Sequence, residues 1–155
     1  MASTYIEVDD EAVRAVLDRL SELGADMTPL MRAISEDMMA AVEDRFANES
    51  TPADPWVDLA ASTKKAREKR GTWPGKKLQE SGRLLSSIVP FYDNQEAGVG
   101  TNVIYAAIHN FGGQAGRNHS ATIPARPFFV LGEDDLQRIY ETADGFLDQV
   151  IQGGR

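Results

Sequence analysis

Apolar positions first recur at helical spacing in Val13, Val16, Leu17 and Leu20. Asp9 or Asp10 stands where an N-cap belongs, and Gly24 ends the run. A second stripe follows Thr28-Pro29, an N-cap hydroxyl with Pro in the first turn. It comprises Leu30, Ile34, Met38, Ala41 or Val42, and Phe46. Both stripes read as core-facing helix surfaces. Residues 47–61 are rich in breakers and predict a connector. Trp56 and Leu59 are expected to fold back from it onto the core. Ser62 or Thr63 then caps a short basic helix through Arg70, closed by Gly71, with a further turn at Trp73-Pro74-Gly75. Residues 78–85 read as one more helical stretch, weakened by Gly82.

Residues 87–92 and 97–100 read as extended, joined by a turn at Asp93-Asn94-Gln95-Glu96. Pro90 lacks an N–H, which puts its strand at an edge or a bulge. A helix over 104–111, a polar loop and a strand near Ala121–Ile123 follow. Glu133, Asp134 and Asp135 open a last helix, where the dipole favours acids. Its apolar face is Leu136, Ile139 or Tyr140, Ala143, Leu147, and Val150 or Ile151. The pattern is α+β: N-terminal helices, a small antiparallel sheet with a long flexible loop, and a C-terminal helix. A single domain is expected over residues 1–155, with flexible ends at 1–8 and 152–155.

The stretch 104–128 carries the most information. An apolar helical turn stops at Gly112-Gly113, and about ten polar and small residues follow. The chain then stiffens at Pro124 and Pro127, with Arg126 between them. Residues 112–122 are therefore expected to form a mobile loop on rigid anchors, suited to contact with a partner. Arg126 should fix the loop base by pairing with a carboxylate or with backbone carbonyls. The loop should gain order on assembly.

Charge sharpens the picture. The formal net charge is −8, with twelve acids against four basic residues in 1–50. Residues 62–83 hold eight of the sixteen Lys and Arg, opposed only by Glu68 and Glu80. Lys64, Lys65, Arg67, Lys69 and Arg70, with Trp73 beside them, can bind single-stranded nucleic acid by charge and stacking. The preferred reading is a solvated band that meets an acidic face of another subunit. The net negative charge argues against general nucleic-acid binding. Arg117 in the loop and Arg126 at its base join this set of candidate partner-binding residues.

Catalytic chemistry is poorly served. There is no Cys, which removes disulfides, thiolate catalysis and Cys-based metal sites. His109 and His119 are the only histidines, and their spacing matches no compact metal-ligand motif. His109 reads as a packed, hydrogen-bonded side chain and His119 as a solvated one. No Gly-x-Ser-x-Gly elbow exists, and Gly98-Val99-Gly100 reads as strand or turn glycine rather than a phosphate loop. No catalytic, cofactor or metal residues are assigned. No apolar run approaches the roughly 18 residues that span a bilayer, and no secretory signal is expected.

The order of motifs is itself informative. Pro55-Trp56-Val57-Asp58-Leu59 is followed by Thr63 and by Leu78-Gln79-Glu80-Ser81-Gly82-Arg83-Leu84. Then come Ser87-Ile88, Tyr105-Ala106-Ala107-Ile108-His109-Asn110-Phe111-Gly112-Gly113 and Ile123-Pro124-Ala125-Arg126-Pro127-Phe128. From about Leu30 to the C-terminus this resembles the phage virion morphogenesis, or tail completion, family of Mu-like phages and prophages. One departure is at Pro55-Trp56, where members often carry a Gly that this chain lacks. The resemblance implies a non-enzymatic structural protein of tail completion or the head–tail neck. It would be made in the host cytoplasm, carry no cofactor and meet other tail or neck proteins, in a homo-oligomeric ring. It implies structural roles for Trp56, Tyr105, His109, Phe111, Gly112, Gly113, Pro124, Pro127 and Phe128. The alternatives are a small nucleic-acid-binding module using residues 64–77 and, less favoured, a hydrolase or metalloenzyme around His109.

Overall fold

The first predicted helix forms as α1, Glu11–Glu22, and Asp10 is its cap, accepting the N–H of Val13 at 2.9 Å. In the computed structural model, which describes residues 4–154, this helix follows a short strand, β1, Thr4–Tyr5. The second stripe runs down α2, Thr28–Asn48. The basic helix is α3, Ala61–Arg70, closed by Gly71 in the left-handed region. Of the stretch 78–85, only its end joins a helix, α4, Arg83–Ser87. Gly82, with φ near 74°, supplies the left-handed residue before it.

β2, Val89–Tyr92, pairs antiparallel with β3, Ala97–Thr101, setting Val89 against Gly100 and Tyr92 against Ala97. The Asp93 N–H bonds to the Glu96 carbonyl, and the Asp93 carboxylate accepts the N–H groups of Gln95 and Glu96. Hydrogen-bonded pairs alternate from that turn, so Pro90 falls opposite Val99 in a pair that needs no bond from it. The sheet order β1-β3-β2 leaves β2 at the edge, where a missing N–H costs nothing. Gly98 lies under the Phe91 ring, in space a Cβ would fill, so it is a strand glycine.

The next helix is α5, Ala106–Phe111, shorter than the pattern suggested. Ile104 precedes it and is 90% exposed. The strand expected near Ala121–Ile123 forms as β5, Ala121–Ile123, and the stretch before it, expected as a mobile loop, supplies β4, Gly113–Ala115, which pairs with it in a β-hairpin. Its tip turns through a 3-10 segment, Arg117–His119. Positive φ at Gly116, Asn118 and His119 lets the chain reverse there. The last helix is α6, Glu133–Gly153. Asp135 accepts the Gly132 N–H at 2.8 Å at its start.

The fold is α+β, and the chain gathers into two compact units. In the unit of residues 5–41, 89–100 and 131–154, α1 packs on α6. Val13, Val16, Leu20, Leu30, Ile34, Met38, Val99, Ile139 and Ala143 are buried there. Its side-chain fastener is the Thr142 hydroxyl, donating to Asp37 at 2.6 Å. The other unit, residues 42–88 and 101–130, holds α3, α4, α5 and the hairpin. An aromatic cluster forms its core. Phe46 meets Trp56 edge-on at 5.5 Å and Phe128 at 5.2 Å, and Phe128 meets Phe129 at 4.8 Å.

Candidate functional site

The two motif pieces around the hairpin are two halves of one clamp. The His109 carbonyl accepts the Arg126 N–H at 2.8 Å. One residue on, the buried Asn110 carboxamide oxygen accepts both the Phe128 and Phe129 N–H groups, at 3.0 and 2.9 Å. Pro127 cannot donate, but its carbonyl accepts the Trp56 indole N–H at 2.9 Å. Arg126 then reaches the connector before α3. Its Nε donates to the Val57 carbonyl at 2.8 Å and one terminal nitrogen to the Asp58 carbonyl at 2.9 Å. Of the two kinds of partner expected for Arg126, the structure supplies carbonyls. Gly112, φ 73°, passes so close to Ala125 that a Cβ would lie 2.8 Å from its backbone nitrogen. The Gly requirement therefore comes from close approach as well as from the turn.

Beside the clamp lies an open groove of about 550 Å³. Arg67, Arg126 and His109 line it together with apolar Val57, Leu84 and Ile123. Arg67 and Arg126 are each only 5% exposed. Arg67 donates to the Lys76 carbonyl at 2.9 Å, while its buried Nε makes no hydrogen bond. That Nε lies 3.5 Å from a Glu80 oxygen, an ion-pair distance without bonding geometry. Glu80 is held chiefly by Arg70, at 2.8 and 3.2 Å, and by Thr72 at 2.8 Å. Those bonds keep its carboxyl below the usual range, Arg70 most of all. Asp58 is likewise lowered by its bond from Lys64 at 2.6 Å, with help from the Leu59 N–H.

His109 is half-buried, 5.9 Å edge-on from the Tyr105 ring, and its Nδ1 is buried without a hydrogen bond. The expected hydrogen-bonded packing is thus packing alone on that nitrogen. Burial lowers its pKa, and the Arg126 charge adds to the effect. Burial lowers the Arg126 pKa as well, opposed by Asp58 and reinforced by Arg67. Among the described residues, no group of three His, Asp or Glu side chains gathers as a metal ion would need.

The sequence-picked basic set is not one surface. Arg67 and Arg126 are buried in the groove wall. Lys64 is spent on Asp58 and stands 5.3 Å over the Trp73 ring, and Arg70 is spent on Glu80. Lys65 and Lys69 are exposed on α3, and Arg117 is exposed at the hairpin tip. Among the motif residues, Trp56 and Phe128 are buried, while Phe111 is 68% exposed. Gly113 lies in β4, and Pro124 and Pro127 lie in the clamp segment after β5. Asn110 is the clamp residue that sequence reasoning did not single out. Its signal was its place inside a motif whose other polar member, His109, drew the chemistry argument.

Residues 8–148 match the phage virion morphogenesis family. The chain is 38% identical over 148 residues to "Mu-like prophage FluMu G protein 2" of Haemophilus influenzae, covering 95% of this chain and 98% of that protein. It is 29% identical over 139 residues to "Putative capsid assembly protein G" of Escherichia phage Mu, covering 88% of each. No solved structure matches the chain.

Proposed function

The chain belongs to the phage virion morphogenesis family, and from that premise we propose that it completes the tail or joins tail to head at the neck. Its role in phage assembly follows from the family and from its phage and prophage relatives. In our reading it works without catalysis, through contacts with other tail or neck proteins and in a homo-oligomeric ring of the finished particle. It is made in the host cytoplasm and leaves with the virion. The relative from phage Mu is named for capsid assembly, which is in keeping with work near the head. Among the described residues, no helix is long and apolar enough to cross a membrane.

The observation that carries this reading is the family match over residues 8–148, which runs through both halves of the clamp. The clamp positions a donor-rich groove and a hairpin, which are features that suit docking. The engagement of Lys64 and Arg70 with carboxylates supports protein contact over nucleic-acid binding. A ring needs each subunit to offer two different faces, and a charge-segregated chain supplies them.

The test is a prophage with this gene silenced and then restored, its lysate counted by electron microscopy. The expected result is separate heads and tails, or tails of irregular length, cured by the restored gene. Normal, joined particles without the gene would overturn the proposal. Salt-dependent retention on DNA by the purified chain would instead favour the residue 64–77 band.

A further inference from the structure

The geometry points to a carboxylate-binding site in the groove beside α3 and α5, built to take an acidic side chain presented between apolar residues of a neighbouring virion protein. This rests on the assembly reading above and names the chemistry of one contact in it.

A guanidinium taken out of water is ordinarily matched by an acid or fully bonded. Arg126 is 5% exposed, and two backbone carbonyls take two of its five N–H groups. Among the described residues, no carboxylate pairs with it. The two acids that line the groove bond elsewhere: Asp58 takes its bond from Lys64, and Glu80 takes its bonds from Arg70 and Thr72 while standing 3.5 Å from the Arg67 Nε. Arg67, equally buried on the same groove, bonds one carbonyl and leaves Nε unbonded. The His109 Nδ1 is a second buried nitrogen without a hydrogen bond on this wall.

Native structures rarely leave buried polar atoms unmatched, so such a group marks a place where a partner belongs. Here the unmet groups include a buried guanidinium with no paired carboxylate, Arg126, and a buried N–H donor, the Arg67 Nε, and what satisfies both is an anionic acceptor. A carboxylate fits the planar fork of an arginine better than a point charge does. Val57, Leu59, Leu84, Ile123 and Pro124 give the wall apolar surface beside the arginines, so the acid arrives with apolar neighbours. A free, strongly hydrated ion gains nothing from that wall, whereas a chain segment does. The groove's volume of about 550 Å³ suits a segment of a few residues.

The test is a titration of 15N-labelled protein followed at the arginine Nε–H and histidine ring signals. The probes are acetyl-Leu-Glu-Leu-amide, its Gln counterpart and sodium phosphate. The Glu peptide is expected to shift the Arg67 and Arg126 signals saturably and to move the His109 titration upward. The Gln peptide and phosphate leave them in place. Arg126→Lys should weaken the Glu peptide about tenfold or more, through loss of the fork. Thr122 is exposed at the groove's rim on β5, so Thr122→Glu keeps the fold and supplies an acid from within. It should abolish peptide binding, while Thr122→Gln should not. Equal shifts from Glu and Gln peptides, equal shifts from phosphate, or no shift at either arginine overturn the site. A silenced gene that still blocks assembly, with no peptide binding, sinks the site alone. Binding with normal particles in the silenced prophage sinks the assembly reading and leaves the site standing.

Discussion

The unit built on α1 and α6 and the unit built around the clamp are held by different means. In the first, α1 packs on α6, and Leu20, Ile34, Val99 and Ile139 are buried with few polar ties. In the second, an aromatic cluster is overlaid by directed bonds: Asn110 to two N–H groups, Trp56 to Pro127, and Arg126 to Val57 and Asp58. Apolar contact is non-directional and scales with area, so it tolerates exchange of similar shapes. A buried hydrogen bond fails when either partner goes, and the orphan left behind carries the penalty. The first kind of packing secures stability. The second fixes where a few atoms stand, which is what a groove of donors requires.

Asn110→Leu attacks that difference most sharply. Leu keeps the branching and adds apolar area, yet it strands the Phe128 and Phe129 N–H groups in a buried place. At about 1–3 kcal/mol for each orphan, the expected loss is roughly 2–6 kcal/mol. Urea unfolding measures it, and amide exchange at Phe128 and Phe129 should quicken. A loss under about 1 kcal/mol would show that the clamp is no firmer than ordinary packing.

The opposite unit should answer differently. Ile139, 2% exposed on α6, can be shortened to Val at about 0.5–1.5 kcal/mol, whereas Ile139→Ala should lose about 2–5 kcal/mol. The cost should follow the volume removed, measured in the same urea series. If Ile139→Val proved as harmful as Asn110→Leu, the contrast between the units would collapse.

How much of this was legible beforehand follows the same division. The stripes of α1, α2 and α6 and a cap at Asp9 or Asp10 are local or periodic features readable from spacing, and the structure gives the cap to Asp10. The edge position of Pro90 was also readable, because it follows from a missing donor. Asn110 was not, since its two partners lie 18 and 19 residues away. Arg67 sits in a run of bases that looks solvated, and only the fold shows that α3 turns it inward to the Lys76 carbonyl. β4 is Gly-Gln-Ala, with no alternation to announce a strand. Its register with β5 comes from pairing, together with Gly116, Asn118 and His119 at the turn. The motif order carried the family, and the clamp joins two of those pieces in space through Asn110 and the His109 carbonyl.

The smallest effect, and the one that joins clamp to groove, is titration of His109. Burial, and then the Arg126 charge, hold its folded pKa below the ordinary 6.5. The groups facing it across the groove are Arg126, Arg67, Asp58 and Glu80. The unfolded chain therefore takes up a proton at a pH where the folded chain does not. Stability depends on pH through the difference in bound protons, so it should fall as pH drops below about 6.5. The fall should stop once pH passes beneath the folded pKa, where both states carry the proton. His109→Gln removes that contribution, leaving the acid-side slope to the carboxylates alone. Urea midpoints of the two proteins between pH 7.5 and 5 should diverge as pH falls from about 6.5, with the variant the flatter. Parallel curves would mean that His109 titrates normally, with neither burial nor the Arg126 charge lowering its folded pKa.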